Sequence, residues 1–314
     1  MKRAIIIGDQ GQDGRLLREL LEGHGTAVTG VSRWTLSLPG GHQADPVDVA
    51  DASAVASLVE SIHPDEIYYL AAFHHSSQQA QGIGPQAIWS ASMAVNAAGP
   101  VHFLEAMRIH APKAHFFYAG SCLAYGSPDN FPQTEDTCLR PSCVYGISKT
   151  AGAHAVRLYR ETYGLFAVTG ILYNHESHLR SPHFLSRKIV HAAWRIRQGL
   201  QSELVLADLA ARADWGYAPD FVEAFTRTLR TGEPRDYVIA TGVLHGVLDW
   251  VEKTFALAGL DWQEHVREDM RLAARRRDPL VGDISRIGRY CGWTPSTGFD
   301  RMVESMFEQE GRHG

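Results

Sequence analysis

The sequence predicts an α/β fold in which a doubly wound parallel sheet carries a smaller second domain. Short apolar runs alternate with segments of helical periodicity through the first half of the chain, as in successive βαβ units. A glycine-rich turn follows the first apolar run, and a long helical segment contains Tyr145 and Lys149. The pattern becomes irregular after about residue 178, which favours a smaller domain closing over the sheet.

The first predicted strand, Arg3-Ala-Ile-Ile-Ile7, leads into a glycine-rich turn and then into a helical segment. The turn has the sequence Gly8-Asp-Gln-Gly11-Gln-Asp-Gly14. Unpaired backbone N–H groups and the positive end of a helix dipole at such a turn bind a pyrophosphate. This context predicts a Rossmann-type dinucleotide site. Its expected cofactor-binding residues are Gly8, Gln10, Gly11, Gln12, Asp13 and Gly14.

The two residues after the second predicted strand, residues 27–31, bear on the choice of cofactor. An NAD site usually places an acidic residue there to accept from the ribose hydroxyl, whereas an arginine accommodates a 2′-phosphate. The chain has Ser32 and Arg33 at this point and no carboxylate. We therefore expect NADP, with NAD the less favoured choice; the alternative is that Arg33 is merely solvated.

Later strands should end at the same edge of the sheet and add further contacts to the cofactor. A third strand is expected before Asp48, and Glu66-Ile-Tyr-Tyr69 is predicted to be the fourth. The residues expected to touch the cofactor after these strands are Asp48, Val49, Leu70, Ala71 and Ala72, and Tyr145 and Lys149 of the later helical segment are expected to contact it as well.

Tyr145 and Lys149 form the candidate catalytic pair. They lie four residues apart in a helical segment, so they share one face and are separated by one turn. An ammonium group beneath a phenol lowers the pKa of the phenol, which makes Tyr145 the candidate base for an alcohol proton. The hydroxyl of Ser121, at a nearby strand end, would hold the same oxygen. The three residues predict removal of a proton from an alcohol while hydride leaves its carbon.

Composition sets broad limits on function. The 314 residues are 45% hydrophobic and 21% charged with a net charge of −5, which describes an ordinary globular protein without an evident nucleic-acid partner. No apolar stretch approaches the length of a membrane span. Four cysteines without Cys-x-x-Cys spacing indicate free thiols, and we expect a cytoplasmic location.

The histidines of the central region do not predict a metal site. Their spacing is loop-like, and no accompanying set of Cys or carboxylate residues matches a known ligand geometry. We expect no metal, and we expect His175 and Glu176 to orient a strand end through hydrogen bonds. The histidines considered are His74, His75, His175, His178 and His183.

The predicted domain boundary lies at the end of a buried apolar run, residues 166–172. We expect residues 1–172 to form the NADP-binding domain, with segments near 214–243 returning to it. Within that return, residues 222–229 and 237–240 are expected to rejoin the sheet. Residues 173–314 are expected to form the smaller, mixed α/β substrate-binding domain.

Several short motifs are spread along nearly the whole chain. They include Gly11-Gln-Asp-Gly14, Tyr173-Asn-His-Glu-Ser177, Ser186-Arg-Lys-Ile189, Asp214-Trp-Gly216 and Gly292-Trp-Thr-Pro295. With these segments the chain resembles the extended short-chain dehydrogenase/reductase family and, within it, the GDP-mannose 4,6-dehydratases. The resemblance implies an enzyme that oxidises C4 of a nucleoside-diphosphate sugar with tightly held NADP.

The resemblance also implies roles for individual residues. It makes Ser121 the hydroxyl partner, Tyr145 the base and Lys149 the residue that tunes the base. It implies a homodimer built from helices near residues 86–109 and 145–163. The residues it implies for the substrate are Asn174, Lys188 and Arg212, near the diphosphate or nucleoside, with Cys122 and Leu123 beside the sugar.

Three departures from the family pattern affect the expected reaction. The resemblance implies a glutamate two residues beyond the catalytic hydroxyl, where it takes the C5 proton during dehydration, but this chain has Leu123. Ala213 and the run Arg275-Arg-Arg277 depart at positions expected to contact the nucleotide. The first departure argues against elimination, and the other two argue against guanosine as the nucleoside.

Without a base at C5, the oxidation and reduction of C4 remain. A positioned proton-transfer group contributes about 10²–10⁴-fold to a rate, so its loss removes most elimination. We therefore expect a 4-epimerase of an NDP-hexose or NDP-heptose that works through a transient 4-keto intermediate. The alternatives are a 4,6-dehydratase and a 4-reductase of a supplied 4-keto sugar. A non-catalytic NADP-binding sensor would not need Ser121, Tyr145 and Lys149.

Overall fold

Eight strands form one sheet in the computed structural model of the chain, which describes residues 1–74, 83–272 and 278–313. Five further strands form two small sheets beside it. In chain order the strands are β1 (Arg3–Ile7), β2 (Ala27–Val31), β3 (Leu36–Ser37), β4 (Gln43–Ala44), β5 (Glu66–Tyr69), β6 (His115–Ala119), β7 (Phe166–Leu172), β8 (Asn174–Glu176), β9 (Leu204–Leu206), β10 (Arg212–Tyr217), β11 (Tyr237–Ile239), β12 (Leu244–Gly246) and β13 (Val266–Glu268).

The helices cover both faces of the large sheet and build most of the smaller domain. They are α1 (Gln12–Gly23), α2 (Ala52–Ile62), α3 (Pro85–Met93), α4 (Gly99–His110), α5 (Val144–Tyr163), α6 (Leu185–Arg197), α7 (Ala218–Thr228), α8 (Val247–Ala258), α9 (Trp262–His265), α10 (Ser285–Cys291) and α11 (Phe299–His313). A π-helical turn, Ala94–Ala98, joins α3 to α4. In the part of the chain that the structure describes, no helix combines the length and the apolar character needed to cross a bilayer.

The large sheet has the strand order β11-β7-β6-β5-β1-β2-β3-β4. The six strands from β11 to β2 are parallel. The chain leaves β1 toward β2 on one side and later returns to β5 on the other, so the topological switch point lies between β1 and β5. The predicted α/β fold with a doubly wound parallel sheet is confirmed.

The third strand expected before Asp48 is present, but it pairs antiparallel and does not extend the parallel set. Only four residues separate β2 from β3, whereas a parallel connection needs a crossover of about a dozen residues or more. The chain therefore turns back, and β3 pairs antiparallel with β2 and then with β4. Gly40 and Gly41 reverse the chain between β3 and β4 with φ angles of 79° and 83°. Asp48 follows this hairpin in a loop.

Alternating side chains of the strands fill two separate cores. On one face of the sheet, Ala4 and Ile6 of β1 pack in the cluster that contains residues of α1 and α7. On the other face, Ile5 and Ile7 pack with residues of α2 and α4. Each face is thus closed by helices, which agrees with the continuous apolar sequence of β1.

The smaller domain has its own core around the buried side chains of Trp250 and Phe255. Helices α6, α8 and α11 pack together there, and β10 pairs with β8 and β12 in a three-stranded sheet. Of the segments expected to return to the large sheet, Tyr237–Ile239 pairs with β7. Residues 222–228 instead belong to helix α7, which packs against α1 over the face of that sheet.

Candidate active site

A cavity of about 1160 Å³ opens at the carboxyl ends of β1, β5, β6 and β7. This is the edge at which an open parallel sheet binds its ligands. The cavity is lined by every residue predicted above for the cofactor, by all three predicted catalytic residues, and by Asn174, Cys122 and Leu123. Segments that are distant in the sequence therefore meet around one space.

The glycine turn packs so closely that two of its positions exclude a side chain. Gly8 has a φ angle of 94°, and a Cβ atom there would lie 2.8 Å from the backbone nitrogen of Ala71. A Cβ atom on Gly14 would overlap the carbonyl oxygen of Gly8. Helix α1 starts after Gly11, no side chain caps it, and its first turn lines the cavity. A pyrophosphate fits this cradle of backbone N–H groups, so the site is suited to a nicotinamide dinucleotide.

Asp13 and His175 join the glycine turn to strand β8. The carboxylate of Asp13 lies 2.9 Å from Nε2 of His175, and Nδ1 of His175 lies 2.7 Å from the carbonyl oxygen of Tyr173. Burial favours the neutral form of both groups, yet their mutual attraction prevails. It raises the pKa of His175 and lowers the pKa of Asp13, which favours the charged form of both groups.

Gln12 adds two hydrogen bonds to the same junction. Its Nε2 donates to the carbonyl oxygen of His175 at 3.0 Å, and its Oε1 accepts from the hydroxyl of Ser177 at 2.9 Å. Asp13 and Gln12 were predicted to bind the cofactor, and both line the cavity. Their side chains also join the glycine turn to residues 175–177 at the edge of the cavity.

The three predicted catalytic residues meet at the carboxyl end of β6. Helix α5 presents Tyr145 and Lys149 to the cavity, and Nζ of Lys149 lies 5.8 Å from the centre of the Tyr145 ring. The same Nζ donates to the carbonyl oxygen of Ala119 at 2.7 Å. The hydroxyl oxygen of Ser121 accepts from the backbone N–H of Leu123 at 3.2 Å, which leaves its proton for a ligand oxygen.

Burial changes the predicted relation between Tyr145 and Lys149. We expected the ammonium group to lower the pKa of the phenol. Burial instead raises the pKa of Tyr145 far above its ordinary value, and burial lowers the pKa of Lys149 to about 7 against the opposing effect of Asp13. A lysine with that pKa is charged for only part of the time at neutral pH.

Sequence reasoning missed a wall of the cavity that faces Tyr145. His74, one of the histidines considered above for a metal site, has its ring centre 4.8 Å from that of Tyr145 and 5.9 Å from that of Phe184. The guanidinium group of Arg180 lies 3.8 Å from the centre of the Phe184 ring, and its Nε lies 3.4 Å from a carboxylate oxygen of Glu176. The sequence did contain one indication of Arg180 as a cavity residue, because it lies shortly after the polar cluster that follows β7.

Asn96, in the π-helical turn, positions the chain next to this wall. Its amide accepts from the backbone N–H of Phe73 at 2.8 Å and donates to the carbonyl oxygen of Phe73 at 3.0 Å. It also donates to the hydroxyl of Ser148 at 2.9 Å. These bonds tie the segment that carries His74 to helix α5.

Residues 5–306 match the family model described as GDP-mannose 4,6 dehydratase. The chain belongs to the GDP-mannose 4,6-dehydratase family. It is 36% identical over 330 residues to GDP-mannose 4,6 dehydratase 2 of Arabidopsis thaliana, covering 98% of this chain and 87% of the relative. It is 32% identical to the Homo sapiens GDP-mannose 4,6 dehydratase, covering 96% and 90%.

Solved structures share the fold of this family member. RMD from Pseudomonas aeruginosa, complexed with NADPH, has a TM-score of 0.85 at 20% identity, with 100% of both chains covered. The Thermus thermophilus UDP-glucose 4-epimerase, in complex with NAD, has a TM-score of 0.80 at 22% identity and covers 98% of this chain and 99% of its own. The likeness confirms the Rossmann-type fold with a smaller α/β domain.

Two residues that the family resemblance assigns to the substrate do not line the cavity. Lys188 donates to the carbonyl oxygen of Val205 at 2.8 Å, and burial lowers its pKa. Arg212 is exposed and donates to the carbonyl oxygen of Leu244 at 3.3 Å. Both therefore lie in the smaller domain away from the residues gathered around Tyr145.

The remaining predictions concern metals and basic residues. Within residues 1–74, 83–272 and 278–313, no three His, Cys, Asp or Glu side chains are grouped to hold a metal ion. His75 and the run Arg275-Arg-Arg277 lie outside the described residues. Glu176, which is expected to orient a strand end through hydrogen bonds, is buried and accepts from the Ser186 hydroxyl at 2.5 Å.

Proposed function

We propose that the chain is an NADP-dependent 4-epimerase of a nucleoside-diphosphate hexose or heptose, which works through a transient 4-keto intermediate. The observation that supports it is Leu123, which lines the cavity immediately beside Ser121. An aliphatic side chain cannot take the C5 proton that elimination requires. The groups needed for exchange between alcohol and ketone, by contrast, are gathered in the same cavity.

Three residues of the chain have separate proposed roles in the reaction at C4. The Ser121 hydroxyl donates to the C4 oxygen, because its own oxygen already accepts from a backbone N–H. Tyr145 takes the C4 hydroxyl proton and later returns it, and Lys149 lies beneath it on the next turn of α5. A bound nicotinamide supplies reversible hydride transfer. Inversion then requires that the ketone present its opposite face before reduction.

NADP is the proposed cofactor because of the residues that follow β2. Ser32 and Arg33 line the cavity where an NAD site would place an acidic residue. The Arg33 side chain is exposed, and its guanidinium group lies 5.9 Å from the centre of the Trp34 ring. RMD, which shares the fold, is complexed with NADPH, although the epimerase from Thermus thermophilus holds NAD.

A nucleoside-diphosphate sugar is the proposed partner in the reaction, and a second copy of the chain is the proposed structural partner. The relatives are named for GDP-mannose, and a Thermotoga maritima epimerase of the same fold was solved with UDP-glucose. For the homodimer, helices α3, α4 and α5 expose large apolar side chains that a second copy would cover. They are Trp89, Ile109, Leu158 and Tyr163.

A 4,6-dehydratase is the second candidate, and one feature of the site favours it besides the names of the relatives. The imidazole of His74 lies against Tyr145 and lines the cavity, so it is an ionisable group near the reacting sugar. If His74 reaches C5, elimination becomes possible without the glutamate. A 4-reductase would use the same C4 groups and would consume NADPH.

Incubation with a panel of nucleotide sugars in deuterated water, followed by NMR, tests the proposal. Inversion at C4 without deuterium in the product and without added NADPH is the expected result. Deuterium at C5 together with loss of the C6 hydroxyl would overturn the epimerase in favour of the dehydratase. Reduction that depends on added NADPH would identify the 4-reductase instead.

A further inference from the structure

Trp34 combines high exposure with a place on the wall of the cavity. It is 78% exposed, yet it lines the same space as the glycine turn and the catalytic residues. A large aromatic ring contributes strongly to folding or binding when its faces are covered. Most of the surface of Trp34 is left uncovered by the chain itself. The ring is therefore available to a planar ligand in the cavity.

A tight turn fixes the backbone that carries Trp34. Residues 32–35 join β2 to β3, and the backbone N–H of Ser32 donates to the carbonyl oxygen of Thr35 at 3.0 Å. The Ser32 hydroxyl oxygen accepts from the backbone N–H groups of Trp34 at 3.2 Å and of Thr35 at 3.1 Å. Arg33 and Trp34 are therefore held at the tip of the turn. The guanidinium carbon of Arg33 lies 5.9 Å from the centre of the Trp34 ring, within the range of a cation–π contact.

The order of the parallel strands places this turn at one end of the cavity. The strands concerned lie in the order β6-β5-β1-β2, so β2 and β6 are three strand intervals, about 14 Å, apart. Ser121 follows β6, the glycine turn follows β1, and Trp34 follows β2. A dinucleotide with its nicotinamide beside Ser121 and its pyrophosphate on the glycine turn must extend its second nucleoside past β1. That nucleoside is directed toward Arg33 and Trp34.

The two side chains at the tip of the turn differ in what they offer to that nucleoside. A guanidinium group pairs with a phosphate, whereas an uncharged indole ring stacks on a heteroaromatic base. Residues 32–35 contain no carboxylate that would accept from a ribose hydroxyl. Stacking acts on any ligand that carries the base, so its contribution is the same with and without a 2′-phosphate. Arg33 and Trp34 should therefore have separable effects on binding.

We propose that Trp34 is a cofactor-binding residue whose indole ring stacks on the adenine of the dinucleotide, while Arg33 beside it pairs with the 2′-phosphate. This inference rests on the nicotinamide dinucleotide of the proposed function, and it names the side chain that recognises the adenine base. Stacking covers the exposed ring of Trp34 and holds the adenine at the end of the cavity opposite Tyr145. Trp34 then sets the affinity for the dinucleotide, and Arg33 sets the choice between NADP⁺ and NAD⁺.

Calorimetric titration of the full-length protein with NADP⁺ and with NAD⁺ tests these separate roles. Trp34→Ala is expected to weaken the binding of both cofactors by the same factor, about tenfold, since both carry adenine. Arg33→Gln is expected to weaken the binding of NADP⁺ alone. Trp34→Phe keeps an aromatic ring and should retain most of the affinity. If Trp34→Ala weakens only NADP⁺, Trp34 acts by holding Arg33 in place and the stacking proposal is overturned. Unchanged affinity for both cofactors would overturn it as well.

Tryptophan fluorescence reports on the contact itself. The probe is adenosine 2′,5′-bisphosphate, which carries the adenine and both phosphates but no nicotinamide. A base stacked on an indole ring quenches its emission, so saturation with the probe should reduce the emission of the wild type but not that of Trp34→Phe. Trp89→Phe removes another exposed tryptophan, which does not line the cavity, and should keep the quenching. Equal quenching in the wild type and in Trp34→Phe would contradict the proposed contact.

Failure of this inference is distinguishable from failure of the proposed function, because none of these measurements requires a sugar substrate. If the wild type binds NADP⁺ and NAD⁺ equally, the proposed choice of NADP fails, whereas equal losses in Trp34→Ala still support stacking. If Trp34→Ala binds both cofactors as the wild type does, the inference fails and the proposed reaction is unaffected. If the wild type binds neither cofactor, both fail. Circular dichroism checks the folding of each variant, and if Trp34→Ala does not fold, the fluorescence of Trp34→Phe decides the proposal.

Discussion

The buried ionisable groups at the two ends of the cavity have different kinds of partner. At the glycine turn, the carboxylate of Asp13 is paired with the imidazolium of His175 at 2.9 Å. At the catalytic end, the ammonium group of Lys149 is equally buried but donates to the neutral carbonyl of Ala119. In the described part of the chain Lys149 forms no ion pair with a carboxylate.

This difference distinguishes an ion pair that stabilises the structure from groups that are suited to proton transfer. A buried charge with a close counter-charge keeps its ionised form, which is why the pKa values of Asp13 and His175 move apart. A buried cation without such a partner has a lowered pKa, and that of Lys149 falls to about 7, within the working range. We expect the end with the Asp13–His175 pair to bind the cofactor and stabilise the structure. We expect the end with Lys149 to exchange protons.

The largest expected effect comes from removing the proposed base. Tyr145→Phe should reduce turnover by at least about 10²–10⁴-fold, since the C4 proton loses its acceptor. Binding of NADP⁺ should not change, because the glycine turn is untouched. Turnover is measured by NMR and cofactor affinity by calorimetry. Equal activity in wild type and variant would mean that Tyr145 is not the base and that the catalytic residues lie elsewhere.

Adding a carboxylate to the catalytic end should change the product. Leu123→Glu places a base beside Ser121, and elimination is expected to rise by up to about 10²-fold. NMR in deuterated water should then show deuterium at C5 and loss of the C6 hydroxyl. Leu123→Gln is the matched control, with the same shape but no proton-accepting carboxylate. The prediction fails if the two variants give the same products.

A change at the cofactor end should alter affinity rather than chemistry. Arg33→Glu should weaken NADP⁺ relative to NAD⁺ by about tenfold, equivalent to about 1.4 kcal/mol, because a carboxylate replaces the expected partner of the 2′-phosphate. Calorimetric titration with both cofactors measures the ratio. Arg15→Glu makes the same charge change on an exposed face of α1 and should leave the ratio unaltered. Equal ratios in the two variants would show that Arg33 does not contact the phosphate.

The smallest expected effect is a pH-dependent loss of stability in His175→Gln. The folded-state pKa of His175 is raised, so its pairing with Asp13 contributes fully below the ordinary histidine pKa of about 6.5 and is lost as pH rises through the raised value. The contribution of Asp13, whose pKa is lowered, is lost only as pH falls through that lowered value. The thermal midpoint should therefore drop by a few degrees near pH 6, and by less at alkaline pH.

Thermal unfolding across that pH range measures the effect of His175→Gln. His115→Gln is a suitable control, because His115 contacts the carbonyl oxygen of Leu229 rather than a carboxylate. A deficit in His175→Gln that is independent of pH would show that the ion pair does not stabilise the junction.

Much of the fold and part of the site followed from local patterns. The glycine spacing predicted the turn because only glycine fits where Gly8 approaches Ala71. The helical period placed Tyr145 and Lys149 on one face of α5. The third strand pairs antiparallel because the four residues between β2 and β3 are too few to form a crossover.

Contacts between distant segments could not be predicted in this way. Nothing in the local sequence places His74 against Tyr145 or Arg180 against Phe184, because those distances depend on how the smaller domain packs on the sheet. The same packing leaves Lys188 and Arg212 outside the cavity although their motifs resemble those of the family.

The sequence by itself determined the parallel sheet, the anion-binding turn and the spacing of the catalytic pair, because each depends on neighbouring residues and on the fixed geometry of strands and helices. Only the tertiary structure decided which charges are paired and which are not. Asp13 and His175 are 162 residues apart, and their pairing exists only in the folded chain. The pKa of about 7 for Lys149 has the same origin, since burial is a property of the packed molecule rather than of the lysine.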